Sequence, residues 1–557
     1  MTEINGKRFH LFVRAVRLLG VVSIFGLLSV SQGAVLRSIE PIALGGETLP
    51  DLPGEAVGSQ NWRFDVNAAG RVVFVGITDA SDSGGAARDG VFAFSPGDTL
   101  PTLIQADDEL APETGAVYSG FTLVRSASNG QVLFGGLLKL EASVIDGFNN
   151  EFLAIDEDGT KRIFAREGAP PDGDVYPSPS GDIYFSENIT ANRLYGTVTI
   201  DADANVAFQP GSNTSAFNAS DDSSYIPGVA HVWTVSNQGE TGLAFHRLAT
   251  ELPGGLRLRA FPNTRFVQND AGQIAFGAVI ENANGTSLPS SSDTALYVRN
   301  ADGTFVEKLR ETGASTLDRV TNLQSAFVKL DDAGELFFYT QRDSFNDNFG
   351  VYTTAVETGF ERVARLGAAF IYTLDGGNTE VVRPVNFPRG GLGFDVGAAG
   401  TAAVLLDVEQ NDFPNAQRGS LLVYENGQRF ERFTPGDLVI GLDPGDTVDL
   451  GTADSLRAIE MNRNGWIAFT ADLRRASGFR DTALLLSSPE GETFLAAAED
   501  QLFDFDGQGD NVLTQIEGWR LDDTNAITLS GRFLDGRSGL FRVTVRADGL
   551  FSDRFEN

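Results

Sequence analysis

Cysteine is absent from the 557 residues, histidine occurs three times, methionine twice, and lysine only at positions 7, 139, 161, 308 and 329. Without cysteine there is no disulfide and no thiolate metal site, so an exported chain of this kind is held by its core and topology alone. Beyond His10 only His231 and His246 remain, which argues against histidine metal clusters and weakens any Ser-His-Asp arrangement. The formal charge is −33. So acidic a surface repels phosphate backbones and anionic lipid, which disfavours nucleic acid and the membrane surface as partners and suits Ca²⁺ or a cationic partner instead. No Gly-x-Ser-x-Gly elbow with a partner occurs, nor a loop that cradles phosphate. After residue 33 no apolar run approaches the roughly 20 residues that span a bilayer as a helix.

What is present begins with a leader. Lys7, Arg8, Arg14 and Arg17 form a basic segment, Leu18 to Val30 a short apolar one, and Ser31-Gln-Gly33 offers the small residues that signal peptidase reads. Residues 1–33 are therefore expected to be a signal peptide cleaved before Ala34, with no membrane insertion afterwards. The mature chain then carries −36, because Glu3 and the four basic residues leave together. The expected address is secreted, extracellular or at the cell surface, with the periplasm included, and a bacterial, monomeric product fits an export without disulfides.

The rest is repetitive. A short apolar strand ends at Phe74, Phe134, Phe208, Phe276, Phe338, Val404, Phe469 and Leu529, at intervals of 60, 74, 68, 62, 66, 65 and 60 residues. Each follows a turn such as Ala69-Gly70, Asn129-Gly130, Ala271-Gly272 or Asn464-Gly465, with Ala204-Asn205 and Thr524-Asn525 in place of Gly. Gly and Asn supply the positive φ that a tight hairpin requires. A second strand follows in every unit, among them Val91–Phe94, Leu296–Val298 and Leu484–Leu486, then a Gly-containing turn, a third strand such as Arg162–Phe164, and less regular strands leading to the next unit. Four short strands in about 65 residues match the blade of a β-propeller. The expected fold is all-β: a single propeller of eight four-stranded blades over residues 34–547, with seven as the alternative if the irregular third unit is no separate blade. The eighth unit stops near Val545. Leu36–Leu44 and Trp62–Val66 are expected to complete it, so that N-terminal strands close the ring and leave no exposed edge.

The stretch Asn269-Asp-Ala-Gly-Gln-Ile-Ala-Phe276 followed by Leu296-Tyr-Val-Arg-Asn-Ala-Asp-Gly-Thr304 resembles the repeat of the TolB-type propellers. It is also similar to uncharacterised secreted bacterial repeat proteins with Asn-x-x-Gly-x-Val-Ala-Phe units. The resemblance covers roughly residues 34–545 and implies an interaction scaffold, with no catalytic residue to carry over. The tail, residues 548–557, is similar to short Phe-x-Asp-Gly-Phe-Glu endings of secreted bacterial proteins, with Arg554 in place of the usual Gly.

The long polar loops follow the first and third strands of the units and therefore share one rim, which marks that face for recognition of a protein or polysaccharide. Asp504, Asp506 and Asp510 alternate with glycine in a loop suited to Ca²⁺, although the bidentate Glu of a helix-flanked site is missing; the bland alternative is a solvated acidic turn. Asp443, Asp446 and Asp449 form a weaker candidate. Trp233 and Trp519 are candidates for sugar stacking or, at blade spacing, for core. The reading is a non-catalytic binding propeller; the alternatives are a carbohydrate-active hydrolase or lyase with Asp, Glu, Tyr and Arg at the channel mouth, and a structural surface protein.

Overall fold

A computed structural model describes residues 36–546 apart from connecting stretches, the longest being 80–86, 141–149, 167–175, 184–196, 210–230, 312–322, 342–348, 387–392, 411–416, 451–458 and 504–510. Among the described residues there is no α-helix, and eight antiparallel sheets form a ring, an eight-bladed β-propeller. The third unit is a blade of its own, built from Thr197–Ile200, Val206–Gln209, His231–Val235 and Thr241–His246.

The apolar triplets that index the repeats are the second strands of the blades. They are apolar throughout because both faces of each sheet are covered. Val72, Val73 and Phe74 are fully buried, as are Ile274, Ala275 and Phe276. Eight hydrophobic clusters lie in the eight seams between neighbouring blades, each drawing on both. Burial on two faces replaces the alternation of a half-exposed strand by a continuous apolar run.

The innermost strands are Arg63–Val66, Ala116–Ser126, Thr197–Ile200, Val267–Gln268, Phe327–Leu330, Phe394–Val396, Ile459–Met461 and Val512–Leu521. Each touches the next, and the last touches the first, so they enclose a central channel. The eight outer strands share a second signature. Opposite the third strand each carries one extra residue, as at Ile104, Phe164, Ala244, Lys308, Val363, Arg432 and Ala496. Such a bulge adds local twist and bends the edge of the sheet.

Ring closure follows from that signature. Leu36–Leu44 pairs antiparallel with Ser538–Arg546 and has its own bulge, at Ile42. It is the outer strand of blade 8, beside the three strands Val512–Leu521, Ala526–Phe533 and Ser538–Arg546. The expectation is corrected for Trp62–Val66. Arg63–Val66 pairs with Val72–Val75 as the inner strand of blade 1, because blade 8 already has its own inner strand. Closure is therefore one strand from the N-terminal side against three from the C-terminal side. Trp62 still reaches blade 8: its indole N–H donates to Ser538 Oγ at 3.1 Å, and Ser538 in turn donates to the Gln60 carbonyl at 2.9 Å.

Candidate functional site at the channel

The tight turns join each inner strand to the second strand. They begin at Asn67, Ala127, Asp201, Asn269, Asp331, Gly397, Asn462 and Asp522, and in each the fourth residue is Gly70, Gly130, Ala204, Gly272, Gly334, Gly400, Gly465 or Asn525 with positive φ. The Asn or Asp at the first position organises its own turn. Asn462 Oδ1 accepts the N–H groups of Asn464 and Trp466 at 3.0 Å, and Asp201, Asn269, Asp331 and Asp522 do the same. Side-chain oxygens of this type satisfy turn donors that the ladder leaves open.

The amide also locks blade to blade. Nδ2 of Asn67, Asn269 and Asn462 donates at 2.8 Å to the carbonyl of Ala127, Asp331 and Asp522, the equivalent position one blade on. Asp331 instead accepts Gly400 N–H at 2.9 Å. The turns that the sequence presents as mere punctuation thus form an interlinked collar around one end of the channel.

Two residues before each turn stands the belt of the channel wall: Asp65, Arg125, Thr199, Val267, Lys329, Asp395, Glu460 and Arg520. Its carboxylates cap the free edge of the neighbouring inner strand. Asp65 accepts Ser126 N–H at 3.0 Å, Asp395 accepts Met461 N–H at 2.9 Å, and Glu460 accepts Leu521 N–H at 2.8 Å. Inner strands would otherwise show unpaired N–H groups to the channel. Lys329 pairs with Asp395 at 2.9 Å and Arg520 with Glu460 at 2.9 Å. The Lys329 and Arg520 side chains keep 41% and 51% of their surface, so they remain open to channel water.

Within the belt, the Glu460 carboxylate is displaced from its ordinary ionisation. Burial raises its carboxyl to about 7, against the pull of Arg520 and the Leu521 N–H, and Asp395 adds to the rise. It keeps 26% of its side-chain surface, which lies toward the axis, while protein encloses it on the remaining sides. Lys329 is raised, first by Asp395, and Arg520 first by Glu460.

Above the belt, at the mouth on the tight-turn side, the second turn positions are Ala68, Ser128, Ala202, Asp270, Asp332, Ala398, Arg463 and Asp523. Seven are small or acidic. Arg463, from blade 7, crosses to blades 4 and 5, where its guanidinium pairs with Asp270 and, at 2.9 Å, with Asp332; Asp523 of blade 8 is 3.9 Å away. Burial opposes its charge, but the three carboxylates together hold its pKa above the ordinary value. A cavity of about 230 Å³ lies here, lined among others by Asn67, Leu330, Val396 and Met461.

The residues singled out from the sequence are distributed differently. Asp504, Asp506 and Asp510 lie outside the described residues. Asp443, Asp446 and Asp449 do not converge on a cation site. Asp446 binds Arg475 at 3.1 Å and accepts Ala476 N–H, while Asp449 faces Arg474 at 2.6 Å. Among the described residues no group of three or more His, Cys, Asp or Glu side chains could hold a metal ion. Trp233 and Trp519 are buried in seam clusters, which decides for core. His231 and His246 stand opposite one another in blade 3. The belt and the collar escape a sequence reading that looks for long loops, yet their spacing from the turn signal is constant and visible.

A family model described as a family of unknown function, DUF7453, matches residues 4–187. No curated protein matches. Among solved structures, the chain is similar to the β-propeller domain of the Trilobed protease from Pyrococcus furiosus, at 8% identity over 78% of this chain and 96% of that one, with a TM-score of 0.35. It is also similar to Pyrococcus horikoshii acylaminoacyl peptidase, at 9% identity over 85% of this chain and 58% of that one, TM-score 0.34. An α-L-arabinanase of Penicillium chrysogenum matches at 12% identity over 70% and 98%, TM-score 0.25. A fold of this kind hosts unrelated activities, so function must be argued from the site.

Proposed function

We propose that this protein is a non-catalytic binding propeller acting outside the cytoplasm, in keeping with the leader-like residues 1–33 and the TolB-like repeat. It takes a protein segment or polysaccharide on the long-loop rim, with the charged belt as the polar floor beneath. The observation that carries this reading is the use of the belt carboxylates. Asp65, Asp395 and Glu460 each hold a backbone N–H of the next blade, and the last two also hold a cation. Groups so engaged brace a ring, while Lys329 and Arg520 keep enough open surface to meet a polar ligand. The test is a thermal-shift screen against anionic and neutral polysaccharides and peptides, since a ligand that binds only the native state raises its melting temperature. The expected result is at least one stabilising ligand whose effect shrinks in Lys329→Ala and Arg520→Ala; a hit indifferent to both variants removes the belt from the site.

A second reading, a carbohydrate-active hydrolase or lyase, has one observation in its favour. Glu460 titrates near 7 beside Arg520, the profile of a general acid at neutral pH. Turnover of any polysaccharide that disappears in Glu460→Gln, with binding retained, would establish it over the first.

A further inference from the structure

We infer that Arg463 is a removable plug that closes the tight-turn mouth of the channel and that ionic strength controls. The inference is independent of which ligand the propeller binds. It rests on position, reach and strength. At the seven equivalent turn positions the side chain is too short to cross or is acidic, and Arg463 is the one long basic side chain of the eight. It is anchored at its base, where its own N–H donates to Asp523 Oδ1 at 3.1 Å, and at its tip by Asp270 and Asp332 from blades 4 and 5, three and two positions round the ring. The side chain therefore spans the mouth, with the cavity lined by Leu330, Val396 and Met461 at the same end.

The strength of the closure is set by solvent. Arg463, Asp270 and Asp332 keep 41%, 36% and 43% of their side-chain surfaces. Ion pairs this exposed are individually weak and are screened by salt. The collar beneath is different: its amide–carbonyl bonds are buried and uncharged, so they hold the turns in place when the guanidinium lets go. The plug opens without the ring opening.

The lack of cysteine makes the test direct. Val396→Cys introduces a single thiol of similar size in the lining of this cavity, and its alkylation by neutral iodoacetamide reports access without a charge on the reagent. Adding Arg463→Ala is expected to raise the alkylation rate about ten-fold at low salt, the scale of losing a small network of exposed pairs. Raising the ionic strength from about 10 mM to about 500 mM, where screening falls to within a contact distance, is expected to raise the rate with Arg463 present and leave the Arg463→Ala protein unchanged. Asp332→Asn, which keeps Arg463 and removes one anchor, is expected to fall between. Unfolding curves identify folded variants, and if Arg463→Ala does not fold, Asp332→Asn and the salt series decide. Equal rates with and without Arg463, or a rate indifferent to salt while Arg463 is present, would overturn the plug.

Discussion

Glu460 shows how a ring of sheets changes the chemistry of one residue. On an open surface a glutamate ionises near 4.5; here burial lifts it to about 7, because the charged form loses water on all sides but the axis. Arg520, Asp395 and Lys329 are the charged groups that act on it, and Asp65 acts in turn on Arg520. The sign follows from linkage. The folded state holds this proton more tightly than the unfolded chain, so the contribution to stability is complete below about 4.5 and is lost as pH rises through about 7. Glu460→Gln keeps an acceptor for the Leu521 N–H and removes the ionisation. The melting temperature of the variant is therefore expected to fall less than that of the parent between pH 5 and pH 8, measured by calorimetry at matched ionic strength. Parallel curves for the two proteins would show that Glu460 does not titrate in this window.

At the scale of the element, one strand decides whether the ring is closed. Leu36–Leu44 supplies the outer edge of blade 8 and places Ile42, Ala43 and Leu44 in buried positions. Removing it exposes the Ser538–Arg546 edge, with its row of free N–H and C=O groups, and opens the apolar seam between blades 8 and 1. Burial of an Ile or Leu side chain stabilises by about 1.5–3 kcal/mol, so a chain lacking residues 34–44 is expected to melt earlier and to associate in size-exclusion chromatography. A synthetic peptide of residues 34–46 is expected to restore the monomer. An unchanged monomer with an unchanged melting curve would mean that three strands suffice for the last blade. This strand also measures how much the sequence shows. The partnering of Leu36–Leu44 with the end of the chain is legible, because the eighth unit visibly lacks a strand. The place of Arg63–Val66 is not, because nothing in so short a run says which neighbouring strand it meets. The eight-fold repeat is legible in the apolar triplets, whose two buried faces impose a continuous run. The site is less so: Asn67, Asn269 and Asn462 look like ordinary turn residues, and only their geometry shows that each reaches the next blade. Arg463 stands out only when the eight turns are aligned and the ring brings blades 4 and 5 within its reach.

The whole molecule sets local pairing against an overall excess of negative charge. The full sequence has 75 acidic residues for 42 basic ones, so a large share of the carboxylates has no cation to meet, whatever the pairing of Arg463, Arg475 and Arg520. Self-repulsion of this kind destabilises the compact state. It acts over a longer range than an ion pair, and the Debye length shrinks from about 30 Å at 0.01 M to about 8 Å at 0.15 M. Salt therefore relieves the repulsion between blades while it weakens the exposed pairs that join them. The pairs are few and individually worth about 0–1 kcal/mol, whereas the excess is spread over the ring, so relief wins. The melting temperature is expected to rise between these two salt concentrations at pH 8, even as the channel mouth held by Arg463 loosens. Fluoride and chloride salts are expected to act alike, as screening requires and specific anion binding does not. A fall in melting temperature over the same range would show that the paired charges, and with them the belt and the mouth, outweigh the self-repulsion of the excess.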